Sequence, residues 1–125
     1  MIDIDHFKSI NDGHSHQMGD RVLKALSTLL VGSVRDTDLA ARLADDEFIV
    51  LLSDAGATEA NEIVMRIQNA VSSFRWEAIA PGLSVSLSIG LSHAVAGDTV
   101  ESIVHRSDSS MYSKKAAPRW EPTRI

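Results

Sequence analysis

Three consecutive carboxylates lie between two apolar runs, and this arrangement constrains the fold more than any other feature of the chain. The acidic residues Asp45, Asp46 and Glu47 separate the runs Leu39–Leu43 and Phe48–Leu52. Short apolar runs on both sides of a polar turn predict a β-hairpin. Carboxylates crowded on a tight turn repel one another, so we expect this turn to hold a cation or a metal–polyphosphate complex.

A second acidic signal opens the chain. The apolar run Met1–Ile4 predicts a buried strand that carries Asp3 near its end, with Asp5 directly after it. Two strand-borne acidic groups that meet at one sheet edge suit a two-metal phosphoryl-transfer site. The alternatives are structural: Asp5 would be the N-cap of a short helix, and the hairpin carboxylates would lie on a solvated turn.

Composition limits the classes of protein to consider. The chain has 125 residues, 44% of them hydrophobic and 23% charged, which suits one globular domain. A formal charge of −5 argues against a nucleic-acid polymer as partner. The chain contains no cysteine and no apolar run long enough for a membrane span, so we expect a cytoplasmic segment without membrane contact. Because Met1 already lies inside an apparent strand, we expect residues 1–125 to be one domain from a longer multidomain protein, with the N-terminal part of the domain missing.

Hydrophobic periodicity gives the order of the remaining elements. Helical spacing predicts helices over 5–12, over 17–33, from Thr58 to Phe74 and from Val100 onwards, whereas strict alternation predicts a central strand over Leu83–Leu91. The order β-α-α-β-β-α-β-α predicts an α+β sandwich, in which helices flank a central, mostly antiparallel sheet.

Several segments, in this order, resemble the GGDEF domain of bacterial diguanylate cyclases. They are Asp3–Asp12, His16–Asp20, Arg42–Phe48, Ser86–Leu91 and the trio Asp108, Tyr112 and Lys114. The resemblance covers nearly the whole chain at consistent spacing. It implies the nucleotidyl-cyclase palm, a ferredoxin-like sandwich that agrees with the element order above.

The resemblance also implies a metal site and a catalytic group. Asp3, the backbone carbonyl of Ile4, Asp46 and Glu47 would be Mg²⁺ ligands. Asp46 would also accept the proton of the attacking 3′-hydroxyl. Lys8 would face a phosphate and stabilise its developing charge, although an isolated lysine is more often simply solvated.

Four further residues resemble the nucleotide contacts of the family. Asn11 and Asp20 match its guanine readers, since an amide and a carboxylate suit the guanine edge. His16 and Lys114 match a nucleotide contact and the triphosphate lysine of the last helix. The structural alternatives are helix caps for the first pair, a buried histidine, and a solvated lysine.

The chain departs from the family pattern at the signature turn. Ala44 and Asp45 stand where the family has two glycines, which tolerate positive φ and let a phosphate approach the backbone. Asp45 adds bulk and negative charge on that path. Pro118 replaces a phosphate-clamping arginine, and Ser15 replaces a glycine. We therefore predict that cyclase activity is weak or absent.

A second ligand site is predicted just before the hairpin. Arg35 and Asp38 resemble the RxxD site at which the family binds cyclic di-GMP as an inhibitor, and Arg66 matches an additional arginine of some members. The prediction is that both side chains of the motif are exposed and free to receive a ligand. The alternative is a surface ion pair.

Three functions follow from these residues. The first is a degenerate, regulatory GGDEF domain that binds cyclic di-GMP, binds GTP weakly and acts on an attached sensory or EAL-type domain. The second is an active diguanylate cyclase that joins two GTP molecules across a homodimer with Mg²⁺. The third is a structural dimerisation module.

Overall fold

The computed structural model describes the backbone of residues 1–120 and the side chains of residues 1–111. The elements are β1 (Ile2–Ile4), α1 (Phe7–Gly13), α2 (His16–Ser33), β2 (Leu39–Arg42), β3 (Glu47–Leu51), α3 (Ala57–Ser73), a 3₁₀ turn (Trp76–Ala78), β4 (Leu87–Ile89) and α4 (Val100–Trp120). Apart from the 3₁₀ turn, this is the predicted order. Among the described residues, no helix is both long and apolar enough to cross a bilayer.

Helix α2 forms where an N-cap and an apolar stripe coincide. The Ser15 hydroxyl accepts a hydrogen bond from the Met18 amide at 3.1 Å. Ser15 has φ 167° and ψ 166°, an extended conformation, so the serine that replaces a family glycine fits here without strain. The residues of α2 that face the core are Val22, Leu23, Leu26 and Leu30, and they pack in one cluster with Ile63, Ile67 and Val71 of α3.

The sheet has the strand order β2-β3-β1-β4, and each pair of neighbours is antiparallel. β1 is central and pairs with β3 through Ile2↔Phe48 and Asp3↔Glu47. This register brings the end of β1 beside the acidic turn of the β2–β3 hairpin, as the sequence predicts.

Helices cover both faces of the sheet around β4. Leu87 and Ile89 belong to the same core cluster as the buried residues of α3. Gly90 faces α4, because a Cβ built there would lie 2.0 Å from the Ser107 carbonyl oxygen and 2.5 Å from the Met111 amide nitrogen. Only a residue without a side chain allows α4 to pack this closely.

The prediction of a long central strand over Leu83–Leu91 is wrong in two respects. The strand spans Leu87–Ile89, and it lies at the edge of the described sheet with β1 as its neighbour. Since β1 offers a ladder of three residues, the rest of the alternating segment has no strand to pair with. The predicted face is confirmed, because Val85, Leu87 and Ile89 are all buried.

The predicted N-cap of α1 is also wrong. His6 occupies the cap position with φ 55° and ψ 36°, and it makes no side-chain capping bond. Asp5 instead accepts hydrogen bonds from the hydroxyls of Ser86, at 2.8 Å, and Ser88. A charge-assisted pair of bonds to the next strand outcompetes a local cap and fixes the segment after β1 to the segment around β4.

Candidate active site

The acidic turn is held against the end of β1 by the backbone. The Leu43 amide donates to the Glu47 carbonyl at 2.8 Å and closes the hairpin, while the Ile4 amide donates to the Asp46 carbonyl at 3.1 Å. The turn is therefore attached to the strand that carries Asp3. Two segments separated by about forty residues in sequence meet at this point because β1 and β3 are neighbours in the sheet.

The carboxyl groups of Asp3 and Asp46 lie close enough to interact electrostatically. Burial, the charge of Asp3 and a hydrogen bond to Asp3, in that order, raise the pKa of the Asp46 carboxyl. Two carboxylates can share such a contact only if one is protonated or a cation lies between them. The Coulomb repulsion thus marks this pair as a site that favours a bound cation.

The carboxylates at this site fit Mg²⁺, although they would fill only part of its coordination shell. Mg²⁺ is commonly held by one or two carboxylates with the remaining positions filled by phosphate oxygens and water. The carboxylates of Asp3 and Asp46 meet this requirement, and the peptide of Ile4 lies beside them. Within the described residues, no group of three or more His, Cys, Asp and Glu side chains converges. Glu47 is the cross-strand partner of Asp3, but its carboxylate does not complete such a group.

The signature turn accommodates its two non-glycine residues without a strained backbone. In the described chain, positive φ angles at residues other than glycine occur at His6 and Asp54, and not at Ala44 or Asp45. The expected cost of losing glycine backbone freedom is thus absent from this conformation. What remains is the side chain of Asp45 and its charge.

Asp45 projects into solvent at the tip of the hairpin. Its side chain is 94% exposed, and its carboxylate lies 3.5 Å from the Arg42 guanidinium. Arg42 also donates from Nε to the Ala44 carbonyl at 3.0 Å, which ties the arginine to the turn. An exposed pair of this kind contributes little stability, but Arg42 offsets part of the negative charge on the turn.

Asn11 places its side-chain amide against a glycine of the next helix. Its Oδ1 atom is buried and accepts no hydrogen bond from the part of the chain that the structure describes. A Cβ on Gly19 would lie 1.8 Å from this atom, so the glycine makes room for the amide. A buried acceptor without a donor is costly and suggests that a ligand supplies the missing N–H group.

Asp20 lies on α2, next to Gly19, and faces an open groove of about 570 Å³. The groove is lined by Asp20, Leu23, Lys24, Ser27 and Thr28 of α2 and by Arg42 of β2. It therefore connects the helix that carries one predicted guanine reader with the hairpin that carries Asp46. The packing of α1 on α2 places Asn11 against Gly19, the residue before Asp20.

Two other predicted nucleotide contacts lie on the surface of the protein. Lys8 of α1 and His16, the first residue of α2, are both exposed. His16 is therefore not the buried structural histidine of the alternative interpretation. The side chain of Lys114 lies outside the described residues, as does that of Pro118.

The RxxD motif forms a closed ion pair, which contradicts the prediction of two free side chains. Asp38 accepts hydrogen bonds from Arg35 Nε at 2.9 Å, Arg35 Nη2 at 2.8 Å and the Ser53 amide at 3.0 Å. Its side chain is fully buried, while that of Arg35 is 37% exposed. Hydrogen bonds from the Arg35 guanidinium hold the pKa of the Asp38 carboxyl well below its usual range. The spacing of three residues also lets Asp38 accept a hydrogen bond from the Arg35 amide at 2.8 Å, which holds the pair closed.

Arg66 contacts the C-terminus of α2, just before the loop that carries Arg35. It is exposed on α3 and donates to the Ser33 carbonyl at 3.0 Å, two residues before Arg35. The last carbonyls of a helix lack intrahelical donors, so Arg66 caps the C-terminus of α2. Two cationic side chains thus flank the loop between α2 and β2.

A scan against protein families matches residues 1–121 to the family described as diguanylate cyclase, GGDEF domain. The chain belongs to the GGDEF family. It is 39% identical over 123 residues to the response regulator PleD of Caulobacter vibrioides, covering 95% of this chain and 27% of PleD. It is 36% identical over 116 residues to diguanylate cyclase A of Treponema denticola, covering 92% of this chain and 31% of that protein. The GGDEF chain thus spans less than a third of these relatives.

A solved structure agrees with the fold of this GGDEF domain. The GGDEF domain of DgcB from Caulobacter crescentus, in complex with c-di-GMP, superimposes with a TM-score of 0.84 at 27% identity. The match covers 93% of this chain and 70% of that chain. The predicted family and the predicted palm-like α+β sandwich are confirmed.

Sequence reasoning missed four residues that shape these sites. They are Gly19, which packs against Asn11, and Arg42, which pairs with Asp45. The other two are Ser53, whose amide donates to Asp38, and Ser88, whose hydroxyl donates to Asp5. The alternation Ser84, Ser86, Ser88 opposite an apolar face is a visible signal for the last of these. The other three depend on contacts between distant segments, which periodicity does not reveal.

Proposed function

We propose that this GGDEF domain acts in cyclic di-GMP signalling as a regulatory member with impaired cyclase activity. The observation that carries the proposal is the position of Asp45. Its exposed carboxylate directly precedes Asp46, which shares the cation-favouring contact with Asp3. A triphosphate bound to a cation at that pair would have to pass the Asp45 carboxylate.

The cost of this charge sets the expected loss of rate. Two like unit charges at 4 Å repel by about 1 kcal/mol in bulk water and by about 4 kcal/mol at an effective dielectric constant near 20. The exposure of Asp45 and its contact with Arg42 favour the lower part of that range. The rate would then fall by roughly fivefold to fiftyfold, since 1.36 kcal/mol corresponds to a factor of ten.

An active diguanylate cyclase is the second candidate, and the backbone of the turn favours it. Ala44 and Asp45 adopt the turn without positive φ, so a phosphate-binding conformation does not depend on glycine here. The Asp3–Asp46 contact is also intact. In this case Arg42 would neutralise Asp45 during the approach of GTP.

Either candidate uses the same residues for nucleotide and metal. Asp3, Asp46 and the Ile4 carbonyl would hold Mg²⁺, with Glu47 as a further ligand. Bound Mg²⁺ would neutralise phosphate charge and help to ionise the attacking hydroxyl. Asn11 and Asp20 would read guanine, Lys8 would face the phosphates, and Asp46 would accept the proton.

The second site is proposed to bind cyclic di-GMP through its arginines. The exposed part of Arg35 and the nearby Arg66 would take the phosphates, because guanidinium groups bind phosphate oxygens in pairs. Asp38 is not a free acceptor in this conformation, so it would orient Arg35 through their ion pair. A homodimer and an attached sensory or EAL-type domain remain part of the proposal.

One assay separates the two candidates. The protein is incubated with GTP and Mg²⁺, and cyclic di-GMP is measured beside the double variant Ala44→Gly with Asp45→Gly. We expect little product from the unchanged protein and at least a fivefold increase from the double variant. Brisk turnover by the unchanged protein would instead establish the active cyclase. Calorimetric titration of the same samples with cyclic di-GMP tests the second site independently.

A further inference from the structure

Asp5 follows the strand that carries Asp3, and hydrogen bonds tie it to the segment around β4. Its carboxylate accepts from the hydroxyl of Ser86 at 2.8 Å and from that of Ser88. Its backbone amide donates to the Ser86 carbonyl at 3.0 Å. Because side chains two residues apart lie on the same face of a strand, Ser86 and Ser88 reach one carboxylate together. Three hydrogen bonds therefore fix both the side chain and the backbone of Asp5.

These bonds determine the direction of the Ile4 carbonyl. The Ile4 C=O and Asp5 N–H groups belong to one trans peptide, so they point in opposite directions. Since the Asp5 amide points to Ser86, the Ile4 carbonyl points to the other side of β1, where β3 and the acidic turn lie. The Ile4 amide agrees with this direction, because it donates to the Asp46 carbonyl at 3.1 Å. The amide and the carbonyl of one strand residue point to the same side.

The Ile4 carbonyl does not receive the return hydrogen bond of a regular ladder. A hydrogen-bonded pair of residues in an antiparallel sheet normally exchanges two bonds, one from each amide. Between Ile4 and Asp46, the described part of the chain forms the bond from the Ile4 amide and not the bond from the Asp46 amide. The Ile4 carbonyl oxygen thus faces the acidic turn without its usual donor. A carbonyl ligand of a cation at the Asp3–Asp46 pair needs this orientation.

A strained residue follows directly after Asp5. His6 has φ 55° and ψ 36°, in the left-handed region, and it makes no side-chain capping bond. A residue other than glycine stays in this region only where the surrounding structure fixes its neighbours. On the C-terminal side the Ile10 amide donates to the His6 carbonyl at 3.2 Å, and on the N-terminal side the three bonds of Asp5 hold the chain. Loss of the Asp5 bonds would therefore let this segment relax and the preceding peptide rotate.

We propose that Asp5 is a positioning residue that holds the Ile4 carbonyl towards the cation site of the acidic turn. Its two serine partners fix the carboxylate, and the carboxylate fixes the peptide. Asp5 itself is not a cation ligand in this arrangement, because each of its carboxylate oxygens accepts a serine hydroxyl on the β4 side. The inference rests on the metal site proposed above. Removing a group that orients a metal ligand by hydrogen bonding typically weakens metal binding about tenfold to a hundredfold.

The test titrates Mg²⁺ alone into the full chain by calorimetry, at a temperature at which each variant is folded, and measures Tm on the same samples. The variants are Asp5→Ala, Ser88→Ala and Asp5→Asn. Asparagine keeps one acceptor for a serine hydroxyl and can donate to the other serine, so it preserves the geometry without the charge. Ser102→Ala is the matched control. The Ser102 hydroxyl donates to Asp98 at 2.7 Å, which is a bond of the same kind at the start of α4.

Asp5→Ala should raise the Kd for Mg²⁺ by about tenfold or more, and Ser88→Ala should raise it severalfold. Asp5→Asn should bind nearly as tightly as the unchanged protein, and Ser102→Ala should lower Tm without changing the Kd. If Asp5→Ala does not fold, Ser88→Ala and Asp5→Asn decide the question.

Three results would overturn the proposal. A lower Tm with an unchanged Kd for Ser88→Ala would make the serine contacts purely structural. Binding by Asp5→Asn as weak as that of Asp5→Ala would mean that the charge of Asp5 acts on the cation directly. Asp46→Ala tests the metal site itself: if this variant leaves Mg²⁺ binding unchanged, the proposed metal site fails and the positioning role fails with it. If Asp46→Ala abolishes binding while the Asp5 and Ser88 variants bind normally, only the positioning role fails.

Discussion

Removing the charge of Asp46 should stabilise the metal-free protein, although the residue belongs to the proposed active site. The carboxyl of Asp46 interacts with that of Asp3, and its pKa is raised above the ordinary value of 3.8. A group whose pKa is raised on folding binds more protons in the folded state, so its contribution to stability falls as the pH rises through that window. At pH 7 the ionised pair therefore opposes folding, and Asp46→Asn relieves it.

The magnitude follows from the contact and its exposure. Like charges 4 Å apart cost about 1 kcal/mol when well solvated and about 4 kcal/mol at an effective dielectric constant near 20. Asp46 is partly exposed, so we expect a gain near the lower limit. About 1 kcal/mol corresponds to a Tm increase of roughly 3–6 °C at pH 7. The difference from the unchanged protein should shrink as the pH falls through the raised pKa of Asp46.

Adding Mg²⁺ should make the unchanged protein more stable than Asp46→Asn. A ligand at ten times its Kd stabilises the folded state by about 1.4 kcal/mol, so the unchanged protein should gain Tm on adding Mg²⁺ and Asp46→Asn should gain much less. Asp45→Asn is the matched control, because it removes the same charge from the exposed side of the same turn. Thermal unfolding at pH 4 and pH 7, with and without Mg²⁺, measures all three proteins. The reasoning fails if Asp45→Asn and Asp46→Asn behave alike, or if Asp46→Asn lowers Tm at pH 7 without metal.

Three further outcomes follow from contacts of single residues. Gly19→Ala should lower the free energy of unfolding by about 1–3 kcal/mol and weaken GTP binding, because the added Cβ would overlap Asn11; urea unfolding and nucleotide titration check this. Arg35→Ala should weaken cyclic di-GMP binding roughly tenfold to a hundredfold in calorimetry, while Asp46→Ala should leave it unchanged. Asp5→Ala should lower the free energy of unfolding by about 1–3 kcal/mol, since two serine hydroxyls lose their acceptor.

Patterns that depend on neighbouring residues were sufficient to predict the order of elements and the hairpin. The apolar spacing of α2 and the two runs around the acidic turn each give a local period, which side-chain burial then enforces. The length and place of β4 were predicted wrongly for a physical reason. Alternation predicts which face of Leu83–Leu91 is buried, but the number of residues that form a ladder depends on β1, a strand more than eighty residues away.

The RxxD motif shows the same limit at the level of a site. Its spacing predicts that Arg35 and Asp38 lie together, and they do. Whether they present their charges to a ligand or to each other depends on Ser53, whose amide lies after β3 and completes the burial of the Asp38 carboxylate. A buried carboxylate with several donors is already satisfied, so a ligand gains little by competing for it. We therefore expect Arg35 to carry the recognition of an anion at this site, and Asp38 to determine the direction in which Arg35 points.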